Sequence, residues 1–257
     1  MKGAGTAVDF EGRTALVTGG AGGIGLAIAR QLAGQGARVA LLDLDAEAVA
    51  SAVATLAGPA HPARHMALAV DVTGQAAVAQ AVAGVLEATG RIDILVNSAG
   101  VALLEPAGEV SEAAWQRTLA VNLTAPLLLA QAVAPAMRRQ RHGRIVNLAS
   151  QASVIALRRH AAYCASKAGL VGLTRVLALE WAPDGITVNA ISPTVVDTPL
   201  GRQAWAGAVG EAMRALIPTG RFAQPDEIAR LAVFLAGEHA GMLTGENIVI
   251  DGGYSIQ

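Results

Sequence analysis

A chain of 257 residues with 53% hydrophobic and 15% charged side chains has the material for a sizeable core and too little polarity for disorder. A formal net charge of -1 with no basic block argues against a nucleic-acid surface, and the single cysteine, Cys164, excludes an internal disulfide framework and fits a reducing compartment. Met1 to Phe10 lacks the charged-then-apolar order of a signal peptide, and the apolar runs read as too short or too interrupted to cross a bilayer, so the expectation is a cytoplasmic protein with no membrane contact.

Thr14 to Val17 is a short apolar run of strand character. It leads into Thr18-Gly19-Gly20-Ala21-Gly22-Gly23-Ile24-Gly25, and a helical pattern follows through Ala33. Strand, glycine-rich turn and helix in that order suit a dinucleotide phosphate site, where the helix N-terminus offers free N–H groups to a pyrophosphate. Arg38 to Leu42 is the second strand and ends at Asp43. That carboxylate lies about 20 residues past the glycine turn, where an acid takes the adenosine ribose hydroxyls and repels a 2′-phosphate. Leu44 follows it, where a phosphate reader would want Arg, so NAD is expected rather than NADP. Asp45 is the better helix cap for Ala46 onward.

The period then repeats. Ala46 to Leu56 is helical, His65 to Val70 a strand ending at Asp71-Val72, and Gln75 to Ala88 helical. Ile92 to Val96 is the fourth strand, ending at Asn97-Ser98-Ala99-Gly100. Such alternation predicts an α/β fold: a single doubly wound Rossmann domain over residues 1–257, with a parallel sheet and helices on both faces. Asp71 and Asn97 fall at the carboxyl ends of their strands, where ligands bind, although each also suits the closing of a turn. Glu112 to Arg139 reads as one long helix with Asn122 in its middle, a poor interior helix residue that either faces solvent or has a task.

Arg144 to Leu148 is the fifth strand and puts Ser150 at the same sheet edge. Ser150 has no G-x-S-x-G elbow and no adjacent His, which disfavours a serine hydrolase. Thr187 to Ile191 is the sixth strand; Ser192 to Pro199 follows as an extended segment. Leu200 to Phe222 is the least regular part, where a substrate loop (residues 199–222) fits. Asp226 to Ala236, capped by Pro225-Asp226, is the last helix, and Asn247 to Ile250 the seventh strand.

Between the fifth and sixth strands stands Tyr163-Cys164-Ala165-Ser166-Lys167, ahead of the apolar-periodic run Ala168 to Trp181. In a helix, Tyr163 and Lys167 share one face. An ammonium at about 5 Å, with an effective dielectric near 20, attracts a phenolate by about 3 kcal/mol, which would bring the phenol toward neutrality. A phenol so tuned exchanges protons at physiological pH. Cys164 reads as a small packing residue, since no His or Cys partner motif stands beside it.

With these pieces in order, the chain resembles the short-chain dehydrogenases/reductases over nearly all its length, from about Phe10 to Tyr254. The carrying motifs are Thr18-Gly19-x-x-x-Gly23-x-Gly25, Asp71, Asn97-x-Ala99-Gly100, Asn122, Ser150, Tyr163-x-x-x-Lys167 and Pro193-x-x-x-x-Thr198. The resemblance implies that Tyr163 is the general acid/base, that Lys167 lowers its pKa and holds the nicotinamide ribose, and that Ser150 positions the reacting oxygen. It implies that Asn122 holds a relay water, that Asp71 and Val72 meet the adenine, and that Asn97 braces the central strands. Gly19, Gly22, Gly23, Ile24, Gly25, Asp43, Ala99, Gly100, Pro193, Val195, Val196 and Thr198 complete the implied cofactor site.

Two departures stand out. Ser98 replaces the second Asn of the usual Asn-Asn-Ala-Gly, and Thr194 replaces the Gly that usually follows Pro193. Thr194-Val195-Val196, Leu200-Gly201-x-x-Ala204-Trp205 and Ser150-Gln151-x-Ser153 resemble the polyol dehydrogenase and L-xylulose reductase-like members. That implies a small polyol or ketose substrate, with Gln151, Ser153, His160, Thr194 and Trp205 as candidate contacts, each of which also fits ordinary loop chemistry. The alternatives are a 3-oxoacyl thioester reductase and a non-catalytic NAD-binding regulator. Family analogy implies a homotetramer; no cluster of ligands argues for a metal.

Overall fold

A computed structural model of the chain describes residues 10–57 and 65–256. The N-terminal stretch read for a signal segment lies, except for Phe10, outside the described residues. Seven parallel strands form one sheet in the order β3-β2-β1-β4-β5-β6-β7. They are β1 (Thr14–Thr18), β2 (Arg38–Asp43), β3 (Met66–Ala69), β4 (Ile94–Asn97), β5 (Gly143–Leu148), β6 (Ile186–Pro193) and β7 (Asn247–Ile250). Every residue of β1, β4, β5 and β6 is buried, as continuous Val/Ile/Leu-rich strands must be when helices cover both sheet faces.

One face packs on α1 (Gly23–Gly34) and α9 (Pro225–Ala236), through Ile28, Leu32, Val39, Leu41, Ile228 and Ala232. The other packs on α3 (Gln75–Thr89), α5 (Ala125–Gln140) and α6 (Ala161–Trp181), through Val85, Leu129, Val133, Met137, Ile145 and Trp181. Each such side chain contributes about 1.5–3 kcal/mol by leaving water. The strand order reverses between β1 and β4, which opens a crevice at their carboxyl ends. The register places Thr18 beside Asn97 and Asn97 beside Asn147.

Local signals account for several boundaries. Asp45 accepts hydrogen bonds from the N–H groups of Glu47 (2.9 Å) and Ala48 (3.0 Å), capping α2 (Ala46–Ala54) as expected. Four expectations need correction. The α9 cap is not Pro225-Asp226: the Gln224 N–H donates to Glu227 Oε2 at 2.8 Å, and Pro225 opens the helix. The stretch 200–222, read as the least regular part, carries two short helices, α7 (Pro199–Ala204) and α8 (Gly207–Ala215), the second seating Met213 beside Ile217 and Phe222. The long helix is interrupted, with α4 (Glu112–Leu119) joined to α5 by a π turn over Ala120–Thr124. Finally, Glu112–Gln140 taken as one helix is long and apolar enough to cross a membrane; half of its apolar window is buried against this protein's own core.

Candidate active site

A cleft of about 500 Å³ opens at the crevice. The β1–α1 turn supplies Gly19, Gly22, Gly23, Ile24 and Gly25; β2 supplies Leu42, Asp43 and Leu44; the end of β3 supplies Val70, Asp71 and Val72. Ser98, Ala99, Gly100 and Val101 after β4, with Arg117, Val121, Thr198 and Pro199, complete it. The glycines are steric requirements: a Cβ on Gly25 would collide with the Gly19 carbonyl oxygen, and one on Gly19, at φ 63°, would lie 2.9 Å from Ala99 N. Thr18 Oγ1 accepts from the N–H groups of Ser98 and Ala99, both at 3.1 Å, which fastens the glycine turn to the opposite wall. Asp43 Oδ2 accepts from Ala21 N–H at 2.9 Å and Oδ1 from Leu44 N–H at 2.8 Å, holding the carboxylate at the cleft. Asp71 is braced by Thr73, whose N–H and hydroxyl donate to Oδ1 at 3.0 and 2.7 Å. The Thr73 hydroxyl is the main reason that the carboxyl titrates below its ordinary value.

Not every residue expected at the cofactor lies on this cleft. Asn97 is buried between strands, its Nδ2 donating to Asn147 Oδ1 (2.8 Å), whose Nδ2 in turn donates to Thr174 Oγ1 on α6 (2.9 Å). It is a brace of β4, β5 and α6 rather than a cleft residue. Pro193 pairs with Ile250, and Val195 and Val196 pack inward while their segment pairs with Ala223.

The catalytic candidates meet where β4, β5 and α6 converge. Tyr163 and Lys167 lie in the first two turns of α6, with Lys167 Nζ 5.7 Å from the centroid of the phenol ring. The ammonium donates to Leu148 O at 2.7 Å. Asn122 and Lys167 both border Gly100: a Cβ there would be 3.4 Å from Asn122 Oδ1 and 3.6 Å from Lys167 Nζ. Fully buried at the π turn, Asn122 accepts from Val101 N–H (2.8 Å) and donates to Val101 O (2.9 Å) and Ser166 Oγ (3.1 Å). Ser166 Oγ donates to Tyr163 O at 2.8 Å. One amide thus joins the cleft wall to the helix carrying the phenol.

The expected acidic phenol is not what the chain alone creates. Burial pushes the Tyr163 hydroxyl above its ordinary value; the hydrogen bond with the Ser150 side chain opposes the rise, and Cys164 adds to it. Burial likewise lowers the Lys167 ammonium to about 8. Coulomb attraction alone, at an effective dielectric near 20, leaves out the cost of burying either charge. Here the low-dielectric surroundings disfavour each charged form, and the ammonium is drawn to the Leu148 carbonyl.

Of the candidate substrate contacts, His160 caps α6 and meets the Tyr163 ring edge-on at 5.9 Å between centroids. Its Nδ1 lies 2.6 Å from Arg158 O. Gln151 and Thr194 are buried, and Gln151 Oε1 and Thr194 Oγ1 have no hydrogen-bond partner among the described residues. Ser153 is otherwise engaged: its hydroxyl is 3.0 Å from Ser192 Oγ and 3.4 Å from Asn247 Nδ2, a link from the Ser150 turn to β6 and β7. Trp205 packs beside the Met213, Ile217 and Phe222 cluster rather than lining the cleft. Sequence reasoning passed over Arg117 and Val121 as cleft residues, although they stand four apart on the helix that holds Asn122. It also passed over Ser166.

A parallel sheet with a glycine turn at its switch point, and a Tyr–Lys–Ser group at the same edge, defines a Rossmann oxidoreductase. The model of a family described as enoyl-(acyl carrier protein) reductase matches residues 19–255. D-threitol dehydrogenase of Mycolicibacterium smegmatis is 53% identical over 97% of each chain. NAD-dependent glycerol dehydrogenase of Listeria innocua is 49% identical over 97% of this chain and 96% of that one. The crystal structure of levodione reductase, 31% identical, superposes with a TM-score of 0.91 over 96% of this chain and 99% of that one. The chain belongs to the short-chain dehydrogenase/reductase family and is an oxidoreductase acting on CH–OH groups with a nicotinamide cofactor.

Proposed function

We propose that this protein is an NAD-dependent oxidoreductase interconverting a secondary alcohol of a small polyol and its ketose. The observation that carries the reading is the convergence of Ser150, Tyr163 and Lys167 beside Asn122 at the mouth of a glycine-lined cleft. The cleft fits a dinucleotide: Gly19 and Gly25 let the turn close against Ala99 and upon itself where a Cβ would strike backbone, and Gly23 opens a helix whose first N–H groups would meet a phosphate. Asp43 at the end of β2 accepts ribose hydroxyls and repels a 2′-phosphate, which supports NAD. The names of the two enzymes from Mycolicibacterium smegmatis and Listeria innocua support a polyol.

The bound nicotinamide supplies the hydride chemistry. Tyr163 gives its proton to the carbonyl oxygen in reduction and takes the hydroxyl proton in oxidation, while Ser150 holds that oxygen. Lys167 lies over the phenol face and, as its charge develops, stabilises the phenolate. Exposed apolar residues on α6 (Val176 and Leu179) and around β7 (Met242, Val249 and Ile256) support a homotetramer joined through its helices and C-terminal region.

Initial rates with a panel of tetritols, pentitols and hexitols, each with NAD and with NADP, test the reading. Turnover of a polyol with NAD, abolished in Tyr163→Phe with NAD binding kept, is the expected result. Activity confined to NADPH and acyl thioesters, the reading nearest to the matched family's description, would overturn both the substrate and the cofactor. NAD binding without turnover of any alcohol would instead point to a regulator.

A further inference from the structure

We infer that Arg117 closes the adenine end of the cleft and sets the affinity for the dinucleotide by stacking its guanidinium on the base. The inference rests on the proposed NAD function and deepens it. Arg117 and Val121 stand one helical turn apart and line the cleft opposite the end of β3. Val70, Val72, Leu44 and Val121 make the walls there apolar. Asp71 and Arg117 set one carboxylate and one guanidinium on the rim. Among the described cleft residues Arg117 is the sole cation.

Its hold on Asp71 is loose. Arg117 Nη1 lies 3.8 Å from Asp71 Oδ2, with the side chains 44% and 48% exposed. Thr73 occupies Asp71 Oδ1 and leaves Oδ2 toward the guanidinium. A slot of this kind suits a flat, amino-bearing heteroaromatic ring. Apolar side chains take one face, the planar guanidinium stacks on the other, and the carboxylate accepts from the exocyclic amine. The pyrophosphate and ribose fall to the glycine turn and Asp43, so Arg117 is left to the base.

Fluorescence titration with NADH of the wild type, Arg117→Met and Arg117→Lys is the test, with turnover supported by reduced nicotinamide mononucleotide, which lacks adenosine, as the second readout. Arg117→Met is expected to weaken NADH about five- to thirtyfold, the range of a partly desolvated cation–π contact. The KM for NADH should rise in parallel, whereas the KM for the mononucleotide should move by less than about twofold. Arg117→Lys, which keeps the charge without the plane, falls between. Wild-type affinity in Arg117→Met overturns the inference, as does full affinity in Arg117→Lys, an equal loss with the mononucleotide, or a loss confined to NADPH. If the wild type itself binds no NADH, the proposed function fails first and the inference falls with it.

Discussion

Replacing Asn122 by Leu should damage stability and cofactor handling together, because one buried amide serves both. The substitution nearly preserves volume but removes three hydrogen bonds: from Val101 N–H at 2.8 Å, to Val101 O at 2.9 Å and to Ser166 Oγ at 3.1 Å. Each is worth about 1 kcal/mol net, and stranding the Val101 N–H adds a desolvation cost of about 1–3 kcal/mol. The expected loss is about 4–6 kcal/mol, read from the urea midpoint at constant m-value. Asn122→Leu and Ser166→Ala share one bond, so their double-mutant cycle should show a coupling of about 1 kcal/mol. Val101 lines the cleft, and its release should also raise the KM for the dinucleotide. A loss under 1 kcal/mol, or effects of the two substitutions that simply add, would refute the linkage.

Three further outcomes follow from charge and burial. Burial holds the phenol above its ordinary 10.0, and above about pH 8 the ammonium loses the charge that attracts a phenolate; the base form needed for alcohol oxidation should therefore keep growing from neutrality to about pH 10 without a plateau, while reduction, which needs the protonated phenol, is favoured near neutrality. Initial rates in both directions check this, and an oxidation rate flat across that range would count against Tyr163 as the base. His65 is buried, accepts the Val39 N–H at its Nδ1 (3.1 Å), and is pushed below its ordinary 6.5 by burial and by Arg38. As pH falls below 6.5 the unfolded chain takes the proton first, so unfolding free energy should drop on the acid side, with a shallower slope in His65→Gln. Asp93, fully buried, holds Arg91 (2.6 Å), Arg13 (3.1 Å) and the Thr14 N–H (2.9 Å); Asp93→Ala strands that N–H and takes the carboxylate from Arg91, while Arg13 keeps Glu238 (2.7 Å), and should cost about 2–3 kcal/mol in a denaturation curve.

The strands and the glycine turn were legible because their signal is local: a run of Val, Ile and Leu buried on both sides needs no knowledge of its neighbours. Asp43, Asn122, Ser150 and Tyr163 stood out because an unusual residue stands at a strand end or inside an apolar helix; the fold sets Asp43 on the cleft and the other three around the start of α6. What escaped depends on distance. The fate of the Tyr163 proton is set by how much water the folded chain removes, which no spacing reports. The π turn is an extra residue absorbed into the helix, invisible in apolar periodicity. Ser153 and Trp205 looked like substrate groups by type, yet Ser192, Asn247 and the Met213 cluster claim them. Arg117 carries no local signal, because only the fold brings the end of β3 up beside it.

All seven strands run the same way, and this governs how the protein must come into being. No two neighbours can zip together through a tight hairpin; Thr18 meets Asn97, and Asn97 meets Asn147, only after long intervening segments have been threaded. Such non-local closure is entropically expensive and slow. The chain should therefore gain its cleft late and in one cooperative event, and a severed half, however helical, should have no catalytic power at all.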